Sequence, residues 1–496
     1  MRRKVAAGQD DLAVELSEGA HLLGRDGLTV EEALAAVSAE RSEKAWSATY
    51  GIDVDRVLAR FGAWYELFPR SFGGFEGVRA VLPTLKELGY DVVYLPPVHP
   101  IGRSNRKGRN NALAAGPDDP GSPWAIGSEL GGHDAIDPGL GTLDDFARLV
   151  ADAKALGLEI ALDFAIQCSP DHPWLTQHPE WFNRRPDGTL KYAENPPKKY
   201  QDIYNVNFDS PDWKALWAAL RDVLLTWVGR GVTVFRVDNP HTKPVPFWEW
   251  LIREVRREHP EVVFLAEAFT RPAMMTTLAK TGFGQSYTYF TWKNTRWELL
   301  ELMGQLLDWA PYYRPNFFAN TPDILHEYLQ QGGRPAFEAR LVLAATLSPA
   351  YGIYSGFERC ENVPVREGSE EYLNSEKYET KERALDGPLL PLAARLNLAR
   401  RDNPALQHLD NITFLETENE QLLAYLKRTG NNAVIVVVNL DPFATREGVC
   451  LLPVSTGLPP AYRVHDLLAD TDWTWHIGRN YVRLPPGQSH VLRIVR

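Results

Sequence analysis

Cysteine is scarce in the 496-residue chain: Cys168, Cys360 and Cys450 lie far apart and are odd in number. No disulfide framework is implied. Long apolar runs are missing too, and no stretch approaches the roughly 20 apolar residues of a membrane span. There is no excess of positive charge: 53 basic against 64 acidic side chains leave a net charge of −11. That balance disfavours nucleic acid or an anionic membrane surface as partner, while a small anionic substrate held by a few local cations stays compatible. The opening segment, MRRKVAAGQDDLAVELSEGAHLL, puts acidic residues where a signal peptide needs an apolar run, so the chain reads as cytoplasmic. What is present is the balance of a globular protein, 44% hydrophobic and 24% charged. The length suits a large barrel with an appendage. Fifteen Trp and nineteen Tyr residues supply rings that either fill a core or stack on the C–H faces of sugars.

Residues 1–58 read as a helical segment, with Thr29 as a cap answered by Glu32. From Phe61 short β-prone runs alternate with helical patterns. The runs are 63–68, 91–97, 158–164, 232–238, 262–269, 285–292, 314–320 and 349–356. Eight such units predict an α/β fold with a (β/α)₈ barrel over 59–404. Two stretches break the rhythm, 98–135, rich in Gly, Pro and Asn, and 168–210, polar and without regular pattern. Connections this long are usually functional, and both are expected to wall a cleft over the C-terminal face of the barrel. From 405 to 496 short strands separated by turn signals predict an all-β sandwich.

In such a barrel, acidic residues at strand C-termini are the leading functional candidates. Asp163 ends the third strand, Asp238 the fourth and Glu267 the fifth, and Asp323 follows the seventh. Retaining glycosyl chemistry needs two facing carboxyls, one as nucleophile and one as acid/base. Here these are Asp238 and Glu267, with Asp323 gripping sugar hydroxyls. Arg236 precedes Asp238 by two, hence on the same strand face, where it would hold the nucleophile ionised. Glu267 needs the opposite, a pKa high enough to keep a proton.

These segments resemble the signatures of the α-amylase superfamily: DFAIQC (163–168), GVTVFRVDNPH (231–241), FLAEAF (264–269), NTPD (320–323) and HDAIDPGLGT (133–142). The departures are specific. Gln167-Cys168 stands where ordinary amylases carry Asn-His, and Pro322-Asp323 where they carry His-Asp. Ordinary starch hydrolysis and calcium binding are therefore not expected, and no metal or cofactor is assigned. With ENPPKKYQDIYN and VDNPHTKP, the pattern is similar to the GlgE-type maltosyltransferases. That resemblance implies retaining transfer of maltosyl units from α-maltose 1-phosphate to the non-reducing end of an α-1,4-glucan, with release of phosphate. It also implies that Asn195, Lys199, Tyr200, Lys377 and Tyr378 surround the donor phosphate, and that Lys107, Gln167 and Asn239 line the donor site. Chemically, a phosphate leaving group needs cations and hydrogen-bond donors. The segment before the barrel leaves no room for the N-terminal β-domain of that family, so a homodimer built in the family manner stays open and is not favoured. Two other readings remain: an α-glucan hydrolase or glucosyltransferase using unphosphorylated donors, and a non-catalytic glucan-binding protein.

Overall fold

The structure, a computed structural model, describes residues 54–195 and 198–495, without the side chains of Asn195 and Lys198. The helical reading of 1–58 and its Thr29 cap fall almost wholly outside the described residues. Asp55–Arg496 forms one compact unit.

Eight parallel strands close into a barrel: β1 (Gly62–Glu66), β2 (Val92–Leu95), β3 (Glu159–Phe164), β7 (Val234–Val237), β8 (Val263–Ala266), β9 (Gln285–Tyr287), β10 (Pro315–Phe318) and β11 (Ala350–Tyr354), with β11 closing on β1. All eight were legible as β-prone runs. Parallel strands buried on both faces read as continuous apolar stretches, as VVYL and VFLA do here. Helices follow them, among them Gly74–Glu87, Leu143–Ala155 and Trp213–Gly229. Local chemistry fixes where they begin. The Thr142 side chain accepts from the Asp145 backbone while the Asp145 carboxylate answers the Thr142 backbone, a reciprocal cap that satisfies two orphan donors.

The barrel interior is a packed layer of Trp64, Tyr94, Ala161, Val234, Leu265 and Phe318. Their partners two residues on continue the inward parity: Asp163 from Ala161, Arg236 from Val234, and Glu267 from Leu265. The register sets Asp163 opposite Arg236 across the β3–β7 pair. Packing of the inner layer and aim of the charged layer above it thus follow from one period-2 pattern. Gly352 on β11 belongs to the same layer, and a Cβ there would come within 2.5 Å of the Phe318 ring.

The stretch 168–210 is more regular than its sequence suggests. β4 (Gln167–Cys168), β5 (Tyr192–Asn195) and β6 (Lys198–Asn205) form a small antiparallel sheet in the order β4-β6-β5. Its apolar signal is thin: Ala193 and Ile203 are buried, and they line a cavity together with the polar Glu194, Tyr200, Asp202 and Asn205. Polarity concealed the strands.

Beyond the barrel, β12 (Ile412–Thr417), β13 (Leu422–Thr429), β14 (Asn432–Asn439), β15 (Arg446–Leu452), β16 (Ala461–Asp466), β17 (Thr471–His476), β18 (Gly478–Leu484) and β19 (Ser489–Val495) form one antiparallel sheet. It bends at β12, whose first half pairs with β13 and whose end pairs with β15. The sandwich is therefore one hydrogen-bonded sheet folded on itself, its inner face filled by side chains such as Leu426, Ile435, Trp475 and Leu484. No helix among the described residues is long and apolar enough to cross a membrane.

Candidate active site

A cavity of about 560 Å³ opens at the C-terminal ends of the barrel strands. Asp238 and Glu267 both reach it, and Arg236 lies beneath them at 4% exposure. Its Nη1 donates to Asp238 Oδ1 at 2.9 Å and to Asp163 Oδ2 at 2.8 Å, and its Nη2 meets Glu267 Oε1 at 2.5 Å. Asp163 is held further by the Tyr94 hydroxyl at 2.6 Å and by Trp124 Nε1 at 3.1 Å. One guanidinium therefore orients three carboxyls in a nearly dry site, where charge interactions are strong.

The two working carboxyls diverge in proton affinity. Burial pushes Asp238 up, but the Arg236 and Lys243 charges and its hydrogen bonds outweigh this and hold it below its ordinary value. Burial pushes Glu267 well above the carboxylate range, and the nearby Asp238 and Asp323 charges reinforce it against the pull of Arg236. Each also acts on the other, in the sense that favours Asp238 ionised and Glu267 protonated. Both carboxyls sit on the one Arg236 guanidinium, one held ionised and the other protonated, the division of labour that a nucleophile and an acid/base need.

Asp323 lines the cavity and receives Lys377 Nζ at 2.5 Å, and the same ammonium reaches Glu371 at 2.9 Å. Gln167, Tyr200, Asn239 and Tyr378 line the same cavity. Asn239 adopts a left-handed backbone, φ 43°, and its Nδ2 points to Asp238 Oδ2 at 3.4 Å. Two expected residues lie elsewhere. Lys107 is buried against Gln201, its Nζ donating to Oε1 at 2.5 Å, and Lys199 is exposed on β6 opposite Glu194. Neither is among the cavity-lining residues. The Asn195 side chain lies outside the described residues.

The sequence reading missed several neighbours. Ser122 and Trp124 line the cavity from the first long loop, and Lys243 donates to the Asp238 and Asn239 carbonyls at 3.3 and 3.2 Å. Phe269, Tyr289 and Trp292 form an aromatic wall, with Phe269 edge-on to Trp292 at 5.0 Å. Rings directly after strand ends were the available signal.

Behind the cavity His133, Cys168 and His172 cluster within 4.8 Å. The Trp174 backbone donates to His172 Nδ1 at 3.1 Å, so His172 donates from Nε2 to His133 Nδ1 at 3.0 Å. His133 in turn donates from Nε2 to the Ala165 carbonyl at 2.9 Å. Every ring nitrogen is engaged. Burial keeps both rings neutral, with His133 lowered to about 4. The cluster is a hydrogen-bond relay that ties the two long loops to the end of β3, with no imidazole lone pair free for a metal.

Barrel, cavity and carboxyls together place the chain in the α-amylase superfamily. The family description "Alpha amylase, catalytic domain" matches residues 54–243, and "GLGE, C-terminal" matches 414–495. Among solved structures, an α-amylase from Lactobacillus plantarum shares the fold at TM-score 0.70 and 23% identity, covering 89% of this chain and all of that one. α-1,4-Glucan:maltose-1-phosphate maltosyltransferase 1 of Streptomyces coelicolor is 54% identical over the whole chain and 81% of its own length. The maltosyltransferase of Pseudomonas aeruginosa is 53% identical over 89% of this chain and 69% of its own length. The chain belongs to the α-1,4-glucan:maltose-1-phosphate maltosyltransferase family.

Proposed function

We propose that the chain is a retaining glycosyltransferase that moves maltosyl units from α-maltose 1-phosphate to the non-reducing 4-hydroxyl of an α-1,4-glucan, releasing phosphate. The observation that carries this reading is that the Asp238 and Glu267 carboxyls, opposite in proton affinity, are seated on one guanidinium in the cavity. Asp238, held ionised, attacks the anomeric carbon as the C1–O bond to phosphate breaks. Glu267 gives its proton to the departing oxygen. The resulting β-maltosyl ester then meets the acceptor, whose 4-hydroxyl proton passes to Glu267 as its oxygen bonds to C1 and Asp238 leaves. Two inversions give net retention.

Lys377 and Tyr378, with Tyr200 from the hairpin, supply charge and donors for the phosphate. Asp323, now paired with Lys377, grips donor hydroxyls, while Gln167 and Asn239 complete the donor contacts. Lys107 and Lys199 act from outside the cavity lining, Lys107 by bracing Gln201 on β6. The setting is cytoplasmic, and the partners are the sugar phosphate and the glucan.

Replacing Asp238 by Ala should lower kcat by roughly 10⁴-fold or more, the scale for loss of a nucleophile, with an unchanged circular dichroism spectrum. A folded D238A that transfers at the native rate would remove Asp238 from its role.

A further inference from the structure

A second cavity, of about 620 Å³, lies beside the catalytic one, within the size range of small-molecule sites. One side of it is cationic. Arg70, Arg103 and Arg106 line it, against one acidic lining side chain, Asp137. Arg70 donates to the carbonyls of Gly121, at 2.9 Å, and of Glu376. Arg106 donates to those of Gly102, Ile101 and Asp119 at 2.8, 3.1 and 3.4 Å. Among the described residues neither guanidinium forms an ion pair within 4.0 Å; the carbonyls fix their positions, and Asp137 acts on both only through space. Arg70 Nε is buried with no hydrogen-bond partner. Arg103 at the rim meets Glu129 at 3.0 Å, with the side chains 70% and 57% exposed, and so exposed a pair gives way easily to a stronger anion. Asp171 acts on Arg106 through its charge, but its oxygens accept from the Arg103 and Ser104 backbones and the Ser104 hydroxyl rather than from a guanidinium. Burial first, and then the Arg103 charge, lower the proton affinity of Arg106 against the opposing charges of Asp137, Asp171 and Glu129.

The opposite side is apolar and rigid. Phe68, Pro97, Pro100, Pro123 and Leu130 present ring and aliphatic surface. Gly73 and Gly74 also line the cavity at the start of a 14-residue helix that no side chain caps, so its positive end adds to the field. Guanidiniums match phosphate oxygens in pairs, and the proline wall suits the face of a compact ring.

We propose that this second cavity binds a phosphate dianion, free or as the monoester of a small ring-bearing molecule, independently of the donor site. The two cavities share a wall. Ser122 and Trp124 face the catalytic cavity and Pro120 and Pro123 the second, while Arg70 ties this wall to Glu376, next to Lys377.

The test is crystallographic and calorimetric, on the full chain, with inorganic phosphate and α-glucose 1-phosphate as probes. Crystals soaked in either probe should show a phosphate group against Arg70, Arg103 and Arg106, separate from any group bound near Lys377. Glucose 1-phosphate binding the more tightly, its ring on the proline wall, identifies a monoester; equal affinity identifies free phosphate. Arg103→Gln, at an exposed site that leaves the fold intact, should weaken this binding several-fold, and Arg103→Gln with Arg106→Gln by tenfold or more. An empty second cavity at saturating probe in the wild-type crystals overturns the proposal, as does unchanged affinity in Arg103→Gln. Because the two sites are seen separately, failure here leaves the transfer reaction untouched.

Discussion

Arg236 touches Asp163, Asp238 and Glu267 at once, so its removal should act on proton affinities before anything else. The guanidinium lowers both working carboxyls, outweighing burial at Asp238 together with Lys243 and the hydrogen bonds, and only opposing it at Glu267. Asp238 must be ionised and Glu267 protonated, so activity rises as pH climbs through the first value and falls as it climbs through the second. In Arg236→Gln both limbs of the kcat/KM profile should move to higher pH, and kcat should drop by roughly 10²-fold. An acid limb that stays in place would show that another group holds Asp238 ionised. At this scale the sequence was informative where periodicity applies: Arg236, Asp238 and Glu267 follow from strand ends and the i, i+2 rule. Tyr94 and Trp124, which hold Asp163, come from distant segments, and no local pattern links them to it. Lys107 sits on a loop, where no period sets direction, and it turns inward to Gln201.

Among the elements, the inner layer of the barrel is the most exacting. Gly352→Ala would press a methyl group into the Phe318 ring and should cost roughly 1–3 kcal/mol, measurable as a lower Tm or a shifted urea midpoint. A variant as stable as the parent would mean that the layer repacks freely. The loop elements rest on the His133–His172 relay, whose ring nitrogens are all engaged. Exhaustive EDTA treatment should therefore leave Tm and transfer rate unchanged, and a loss restored by calcium or zinc would contradict the relay. Barrel strands such as β2 and β8 were legible because continuous burial writes an apolar run, whereas β9, Gln-Ser-Tyr, is buried without one. The β5–β6 pair was not, because a strand whose face lines a polar cavity carries polar residues.

For the whole molecule, barrel and C-terminal sheet share one core. Tyr425, Val434, Val436 and Val491 cluster with Ala339, Leu343 and Leu347 of the helix Glu327–Leu347. The Tyr425 hydroxyl pairs with Thr346 at 2.5 Å, and Tyr328 donates to the Leu440 carbonyl at 2.7 Å. Calorimetry should therefore record the barrel and the sheet melting in one transition. Two resolved transitions, with the barrel surviving loss of the sheet, would refute a shared core. The sequence announced the change from alternating α/β to short strands near 405. It did not announce that the β-region closes as one folded-over sheet, since pairing partners so far apart leave no local trace.

The central claim is that the carboxyl pair seated on Arg236 transfers maltosyl units from a phosphorylated donor. The most direct measurement incubates the purified chain with α-maltose 1-phosphate and a maltooligosaccharide, following phosphate and product length together. The account predicts phosphate release in step with products longer by two glucose units. No phosphate release from folded protein, with activity on unphosphorylated glucans instead, would contradict it.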